Sequence, residues 1–260
     1  MHNLIYTFSG FGIGLLVGLT GVGGGALMTP LLVMLFGFHP LTAVGTDLLF
    51  AASTKGVGVW VHGNQGSVDW QVVRLLSMGS LPAATVTLWL MWHFPAGDVM
   101  GHFVMSMLGI TLILTSVAML WKNKLHSIGK EQRTHKPHRF KKWQPILTVF
   151  TGVALGVLVT MTSIGAGALG AVMLTYLYPF RLSAVKLVGT DLAHAIPLTL
   201  VAGSGHILMG HVDFDLLGWL LLGSIPGIYL GSKISVRMDE RHVRRGIALI
   251  LMVVGIRAIT

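Results

Sequence analysis

Two copies of Gly-Thr-Asp-Leu, at residues 45–48 and 189–192, place an acidic residue inside otherwise apolar stretches of this 260-residue chain. Placing an ionised group at the centre of a membrane costs about 2.5–3.5 kcal/mol on insertion scales, so such a residue is a functional candidate by default. Asp47 and Asp191 therefore read in two ways. They take up a proton or orient a ligand donor, or each Thr-Asp pair caps a helix start by accepting free N–H groups. A bare carboxylate repels an anion, so the functional role is coupling or gating and not direct charge pairing. Lys55 lies eight residues beyond Asp47, about 80° away on a helical wheel. It can neutralise that carboxylate or supply cationic attraction within the first half of the chain. His194, three residues after Asp191, lies on a neighbouring helical face and reads as a proton relay or a hydrogen-bonded structural group.

Glycine runs supply the second kind of candidate. Gly21, Gly23 and Gly24 interrupt one apolar stretch, and Gly165 and Gly167 interrupt another. A broken helix inside a membrane frees backbone N–H groups, and a helix N-terminus carries roughly half a positive charge. Two such tips suit a small anion, and glycine lets the backbone come close to it. Thr20, Ser163, Thr46 and Thr190 add hydroxyl donors, although such groups also bond back to their own helix. The competing reading is tight helix crossing, which glycine also serves. His62 and His206 stand seven residues before Asp69 and Asp213 in glycine-containing stretches, a pattern that fits turn structure or gating.

Other chemistries find no support. Residues 21–26 match G-x-G-x-x-A, but no strand precedes them and no acidic residue follows at dinucleotide-site spacing. The chain has no H-E-x-x-H pair, Gly-x-Ser-x-Gly elbow or P-loop, so no catalytic residue, metal or cofactor is assigned. Cysteine is absent, which removes disulfides and thiolate metal sites.

The elements that must position these groups are written in the composition. The chain is 53% hydrophobic and 10% charged, with a mean hydropathy of +0.76. A soluble domain carries about 25% charge, so a cytoplasmic enzyme, a disordered chain and a nucleic-acid-binding module are excluded. The net charge of +9 is concentrated, with eight of the 18 Lys and Arg in 122–142 and five in 233–245. Basic clusters between apolar runs are the pattern of cytoplasmic loops. Ten apolar stretches follow: 4–20, 26–37, 41–61, 70–92, 99–121, 145–163, 168–180, 183–208, 214–232 and 243–259. A spanning helix needs about 20 residues, so the second and seventh are too short to cross comfortably. Both come directly after a glycine break. They read as full helices or as hairpins that stop part-way. The first stretch lacks a basic n-region and a convincing cleavage site, which reads as an uncleaved anchor. The basic stretch 122–142 reads as a solvated loop touching anionic lipid headgroups.

Sliding the chain by 144 residues superposes Gly21 on Gly165, Gly23 on Gly167, and the two Gly-Thr-Asp-Leu segments on each other. His62 meets His206, Asp69 meets Asp213, Gly79-Ser80 meets Gly223-Ser224, and Pro82 meets Pro226, all without a gap. Chance likeness between apolar runs yields Leu and Val matches, not paired Asp, His and Pro. Five segments per half, or three crossings and a hairpin, are odd numbers and invert the second half. The expectation is an all-α polytopic membrane protein with a 5+5 inverted repeat. It comprises a first repeat over 1–121, a basic cytoplasmic loop over 122–144 and a second repeat over 145–260.

On these residues the chain resembles the TauE/SafE family of membrane transporters, which includes sulfite exporters. The likeness rests on Gly18-Leu19-Thr20-Gly21-Val22-Gly23-Gly24-Gly25, Pro30-Leu31-Leu32 and Ala43-Val44-Gly45-Thr46-Asp47-Leu48, with 189–192 as the second-half version. The resemblance implies a secondary transporter in the cytoplasmic membrane for sulfite, an organosulfonate or a related sulfur-containing anion. The second glycine motif departs from the first, with Ala166, Ala168 and Leu169 in place of Val22, Gly24 and Gly25, so the paired site is asymmetric. The partners expected are a small inorganic or sulfonate anion, membrane lipid, a coupling proton or sodium, and a second copy in a homodimer, with no nucleic acid. Alternating access is the expected mechanism. A passive anion channel or facilitator is the first alternative, and a membrane enzyme or assembly scaffold the second.

Overall fold

The computed structural model describes residues 2–20, 25–62, 68–93, 98–135, 137–235 and 240–259. Among them are ten helices and no strand: α1 His2–Thr20, α2 Gly25–Met34, α3 Pro40–His62, α4 Trp70–His93 and α5 Asp98–His135, then α6 Pro137–Thr162, α7 Ala168–Leu177, α8 Ala184–Leu208, α9 Phe214–Ser235 and α10 Glu240–Ile259. Within the described residues α4, α5, α6, α8 and α9 are long and apolar enough to cross a membrane. Large apolar side chains such as Trp89, Phe150, Leu230 and Leu249 lie exposed on the outside. That is the inverse of a soluble surface, and it suits hydrocarbon. The chain is a polytopic all-α membrane protein.

α2 and α7 are each ten residues long, about 15 Å, or half the hydrocarbon thickness. Each is the return arm of a helical hairpin. The Gln144 side chain of α6 donates to Leu177 O at 2.5 Å, and Thr148 Oγ1 lies 2.9 Å from Tyr178 OH. The end of α7 thus comes back beside the start of α6. In the first hairpin the Tyr6 ring meets Phe36 edge-on with centroids 5.1 Å apart, so the chain after α2 returns to the start of α1.

Sequence halves and packed bundles do not coincide. α1 packs along α9, and α4 along α6. Gly10, Gly14 and Gly18 of α1 face Leu220, Ser224 and Ile228, while Gly223, Gly227 and Gly231 of α9 face Thr7, Phe11 and Leu15. A Cβ at any of these six would enter the partner's backbone. This is close small-residue packing at a four-residue period. One apolar core joins α1, α2, α3 and α9 through Ile13, Met28, Phe50 and Leu220. Another joins α4, α7 and α8 through Leu76, Leu174 and Leu187.

The segment 122–144 differs from the expected loop. α5 stays helical to His135 and α6 begins at Pro137. Lys, Leu, Glu, Gln and Arg in this stretch are good helix formers, and the extension has something to rest on. His126 Nε2 lies 3.2 Å from Pro179 O, Gly129 lies against Tyr176 O, and Lys130 lies over the Phe180 ring. The basic cluster is therefore a helical projection that braces the end of α7.

Candidate substrate and coupling site

The second glycine break is fully described. After α6 the chain passes through Ser163 (φ 59°), Gly165 (φ 120°) and Gly167 (φ 146°) before α7 begins. These positive angles turn main-chain groups away from the helix direction, and only glycine tolerates the last two without strain. No side chain caps α7. Its first turn closes by Gly170 N–H to Gly165 O and Ala171 N–H to Gly167 O. Ser163, Ala166, Ala168 and Leu169 are all buried. An uncapped helix start, rich in free amides, thus lies inside the bundle.

Three charged side chains meet this break. Lys55, only 3% exposed, reaches out of α3 and donates from Nζ to Ala166 O at 2.5 Å. Asp191 turns towards the first turn of α7, where a Cβ placed on Gly170 would stand 2.6 Å from its Oδ1. Asp47 accepts from Thr29 N–H at 3.2 Å and from Thr29 Oγ1 at 2.5 Å through one oxygen, and Ser163 stands beside the same carboxylate. Asp47 Oδ1, Asp191 Oδ1 and Ser163 Oγ are buried without a completed hydrogen bond. His194, also fully buried, meets Ser80 Oγ at 2.8 Å through Nε2 and leaves Nδ1 unpartnered.

Sequence candidates sort themselves on this geometry. Lys55, Asp47, Asp191, His194, Ser163, Gly165 and Gly167 come together. The two Asp residues lie well inside α3 and α8, so neither caps its own helix. Lys55 serves the second half's break and not only the first half. Thr46 and Thr190 point elsewhere: Thr46 Oγ1 accepts from Asp213 N–H, and Thr190 Oγ1 from Asp69 N–H, both at 3.0 Å. Asp69 and Asp213 then accept Val72 N–H and Leu216 N–H, which makes them the N-terminal caps of α4 and α9. His206 is not in a turn but in the last turn of α8, with Nε2 3.0 Å from Thr160 O. Gly21, Gly23 and Gly24 lie outside the described residues, as do the side chains of Thr20 and His62.

Thr29, Ser80 and the Ala166 carbonyl are members that sequence reasoning misses. Hydroxyls and carbonyls are common in any helix, and only the tertiary contact marks them out. The nearest sequence signal is Ser80 beside Gly79, repeated as Gly223-Ser224.

Among the described residues outside the spanning helices, two groups are shifted. Burial, with His39 nearby, lowers the His211 pKa. Burial raises the Tyr178 phenol, against the opposing effect of its Thr148 contact.

A family model described as Sulfite exporter TauE/SafE matches residues 6–258. The chain belongs to that family. The chain is similar to a probable membrane transporter protein, YjnA, of Bacillus subtilis (strain 168), 39% identical over 96% of this chain and 97% of the relative. YdhB of the same organism, also a probable membrane transporter protein, is 27% identical over 95% and 96%. A third, from Methanocaldococcus jannaschii, is 27% identical over 95% and 91% and carries the same description. The family is one of membrane transporters and not of enzymes. No solved structure matches the chain.

Proposed function

We propose that this TauE/SafE protein moves a small anion, sulfite, an organosulfonate or a related sulfur-containing anion, across the cytoplasmic membrane by alternating access. The observation that carries the reading is the buried, uncapped start of α7 with the Lys55 ammonium beside it. Free amides and one cation suit a compact oxyanion held by several short contacts. The family description supports the sulfur chemistry.

Charge counting points to co-transport and not to a passive pore. With Asp47 and Asp191 both ionised, Lys55 offsets only one of them, and an incoming anion adds another negative charge. Buried ions need compensation, so an anion enters together with a cation that balances it. The matching contacts of Thr46 with Asp213 and Thr190 with Asp69 fit two inverted halves interlocked through α1–α9 and α4–α6. In this reading α1, α2, α3 and α9 move against α4, α6, α7 and α8. The basic end, with the α5 extension, faces the cytoplasm.

Proteoliposome flux over sulfite, sulfate, thiosulfate, sulfoacetate and carboxylates, with pH and sodium gradients varied separately, tests the reading. A saturable flux of one sulfur-containing anion is expected, reduced at least about tenfold by Gly170→Ala, since a ~1.4 kcal/mol penalty from the new Cβ is enough for that. Folded protein that moves none of these anions overturns it.

A further inference from the structure

α5 turns one inner face towards the second glycine break. Along it Leu108, Thr111, Leu112, Thr115 and Met119 are all buried. Leu108, Leu112 and Met119 share a core with Ile164 of the break and with Ala168 at the start of α7. Farther along, Gly129 lies against Tyr176 O, near the other end of α7. α5 and α7 therefore run side by side in one direction, and the turn of α5 around Thr115 stands at the level of the α7 start. Thr115 is about 20° from Leu108 and about 40° from Met119 on the helical wheel, so its side chain leaves α5 on the face that those two pack. Ser116, the next residue, turns instead to α10 and donates to Ala248 O at 2.7 Å.

The Thr115 hydroxyl departs from its fellows. Every other buried threonine among the described residues has a hydroxyl partner. Most bond back to their own helix, as Thr111 does to Met107 O at 2.7 Å, one turn away on the same face. Thr115 Oγ1 is fully buried with no partner, although the same back-bond suits any helical threonine. A buried hydroxyl left unpaired is costly, and valine fills the same shape without that cost.

We infer that the Thr115 hydroxyl is a ligand to the transported anion, donating its O–H to an oxyanion held at the start of α7. This rests on the transport reading and adds a specificity-determining residue to it. The free amides of α7 meet the anion from the helix tip, and α5 flanks that tip. A donor on α5 therefore reaches a second oxygen of the same sulfite or sulfonate group.

The test is uptake into proteoliposomes of whichever of sulfite, thiosulfate and sulfoacetate wild type carries fastest, with anion-free thermal melts in parallel. Thr115→Val is expected to raise KM about tenfold or more, the size of one hydrogen bond to a charged group, with the maximal rate kept within about twofold. It is expected to melt no lower than wild type, because the hydroxyl it loses has no partner in the protein. Thr115→Ser keeps the donor and is expected to restore the wild-type KM. Thr111→Val, whose hydroxyl serves Met107 O, is expected to leave KM unchanged. An unchanged KM in folded Thr115→Val overturns the inference, as does an equal rise in Thr111→Val. If Thr115→Val does not fold, Thr115→Ala takes its place. An unchanged KM in that variant, or its failure to fold, assigns the hydroxyl to structure and overturns the inference as well. Wild type that carries none of the three anions overturns the transport reading and this inference with it. An unaffected variant beside an active wild type overturns this inference alone.

Discussion

Thr46 Oγ1 accepts the main-chain N–H of Asp213, 167 residues away, at 3.0 Å, and Thr190 repeats the bond with Asp69 at the same distance. Each threonine thereby anchors the first turn of a helix from the other half, with Asp69 or Asp213 completing the cap. Replacing either threonine by valine keeps the shape and strands a part-buried N–H. Each change is expected to cost about 1–3 kcal/mol, with the two costs similar. Denaturant unfolding of Thr46→Val, Thr190→Val and the double variant checks this. A loss of flux with full stability would instead return these hydroxyls to the substrate.

Asp47→Asn is a mild structural change, because the amide oxygen can still accept both Thr29 bonds. It removes a charge that the transport cycle needs if the carboxylate carries the balancing proton. Accumulation driven by a pH gradient is therefore expected to vanish while anion exchange between equal pools survives. Asp191→Asn is expected to behave alike. Equal loss of both activities in folded protein would remove Asp47 from the coupling role.

The glycine seam makes a sharp contrast between neighbours. A Cβ on Gly12 meets nothing within 4 Å, whereas one on Gly14 would enter the Ser224 backbone. Gly12→Ala is expected to leave stability unchanged or slightly raised, in line with helix propensity. Gly14→Ala must push α1 off α9 and is expected to cost about 1–3 kcal/mol, as overpacking does. Thermal melts of the two variants side by side decide it.

Much of this was readable in the chain. Ionised residues and helix breakers are rare in apolar stretches, so Asp47, Asp191 and the 163–167 break stand out wherever they occur. The four-residue spacing of Gly10, Gly14 and Gly18 was equally visible, but 34 glycines hide a stripe among many. Lys55 stands out in the sequence as a cation in an apolar stretch, and its partner does not. Helical-wheel arithmetic joins residues on one helix, while Ala166 O lies 111 positions away. The basic stretch is helical where a loop is expected, because charge density indicates solvent and says nothing of whether a solvated segment is helical. The docking of His126 and Gly129 on the end of α7 is tertiary.

Arg181 ties the end of the second hairpin to α4, donating from Nε to Asp69 Oδ2 and from Nη2 to both Asp69 Oδ1 and Gln71 Oε1. Its repeat position in the first half is Gly37, so only one end of the bundle has this tie. Arg181 is nearly half exposed, and an exposed pair contributes only about 1 kcal/mol or less. Arg181→Ala is accordingly expected to change stability little while loosening the turn after α7. Hydrogen exchange at the Arg181 and Leu182 amides, which bond to Tyr178 O, is expected to quicken several-fold, since the local opening loses up to about 1 kcal/mol. Lysine at 181 cannot reproduce the two-toothed geometry and is expected to rescue poorly.

At the other end of the bundle His211 follows α8, its ring 5.4 Å from that of His206 and its Nδ1 buried without a partner. Burial lowers its pKa, and His39 adds to the effect. The folded protein therefore binds this proton less readily than the unfolded chain. Between the ordinary histidine value of about 6.5 and the lower folded value, the unfolded state holds more protons. Stability contributed here is present at neutral pH and declines as pH falls through that window, levelling off once both states are protonated. His211→Asn keeps a smaller polar group that does not titrate. Its melting temperature is expected to fall less than that of wild type between about pH 7.5 and pH 5. Identical pH profiles would show that His211 does not titrate differently on folding.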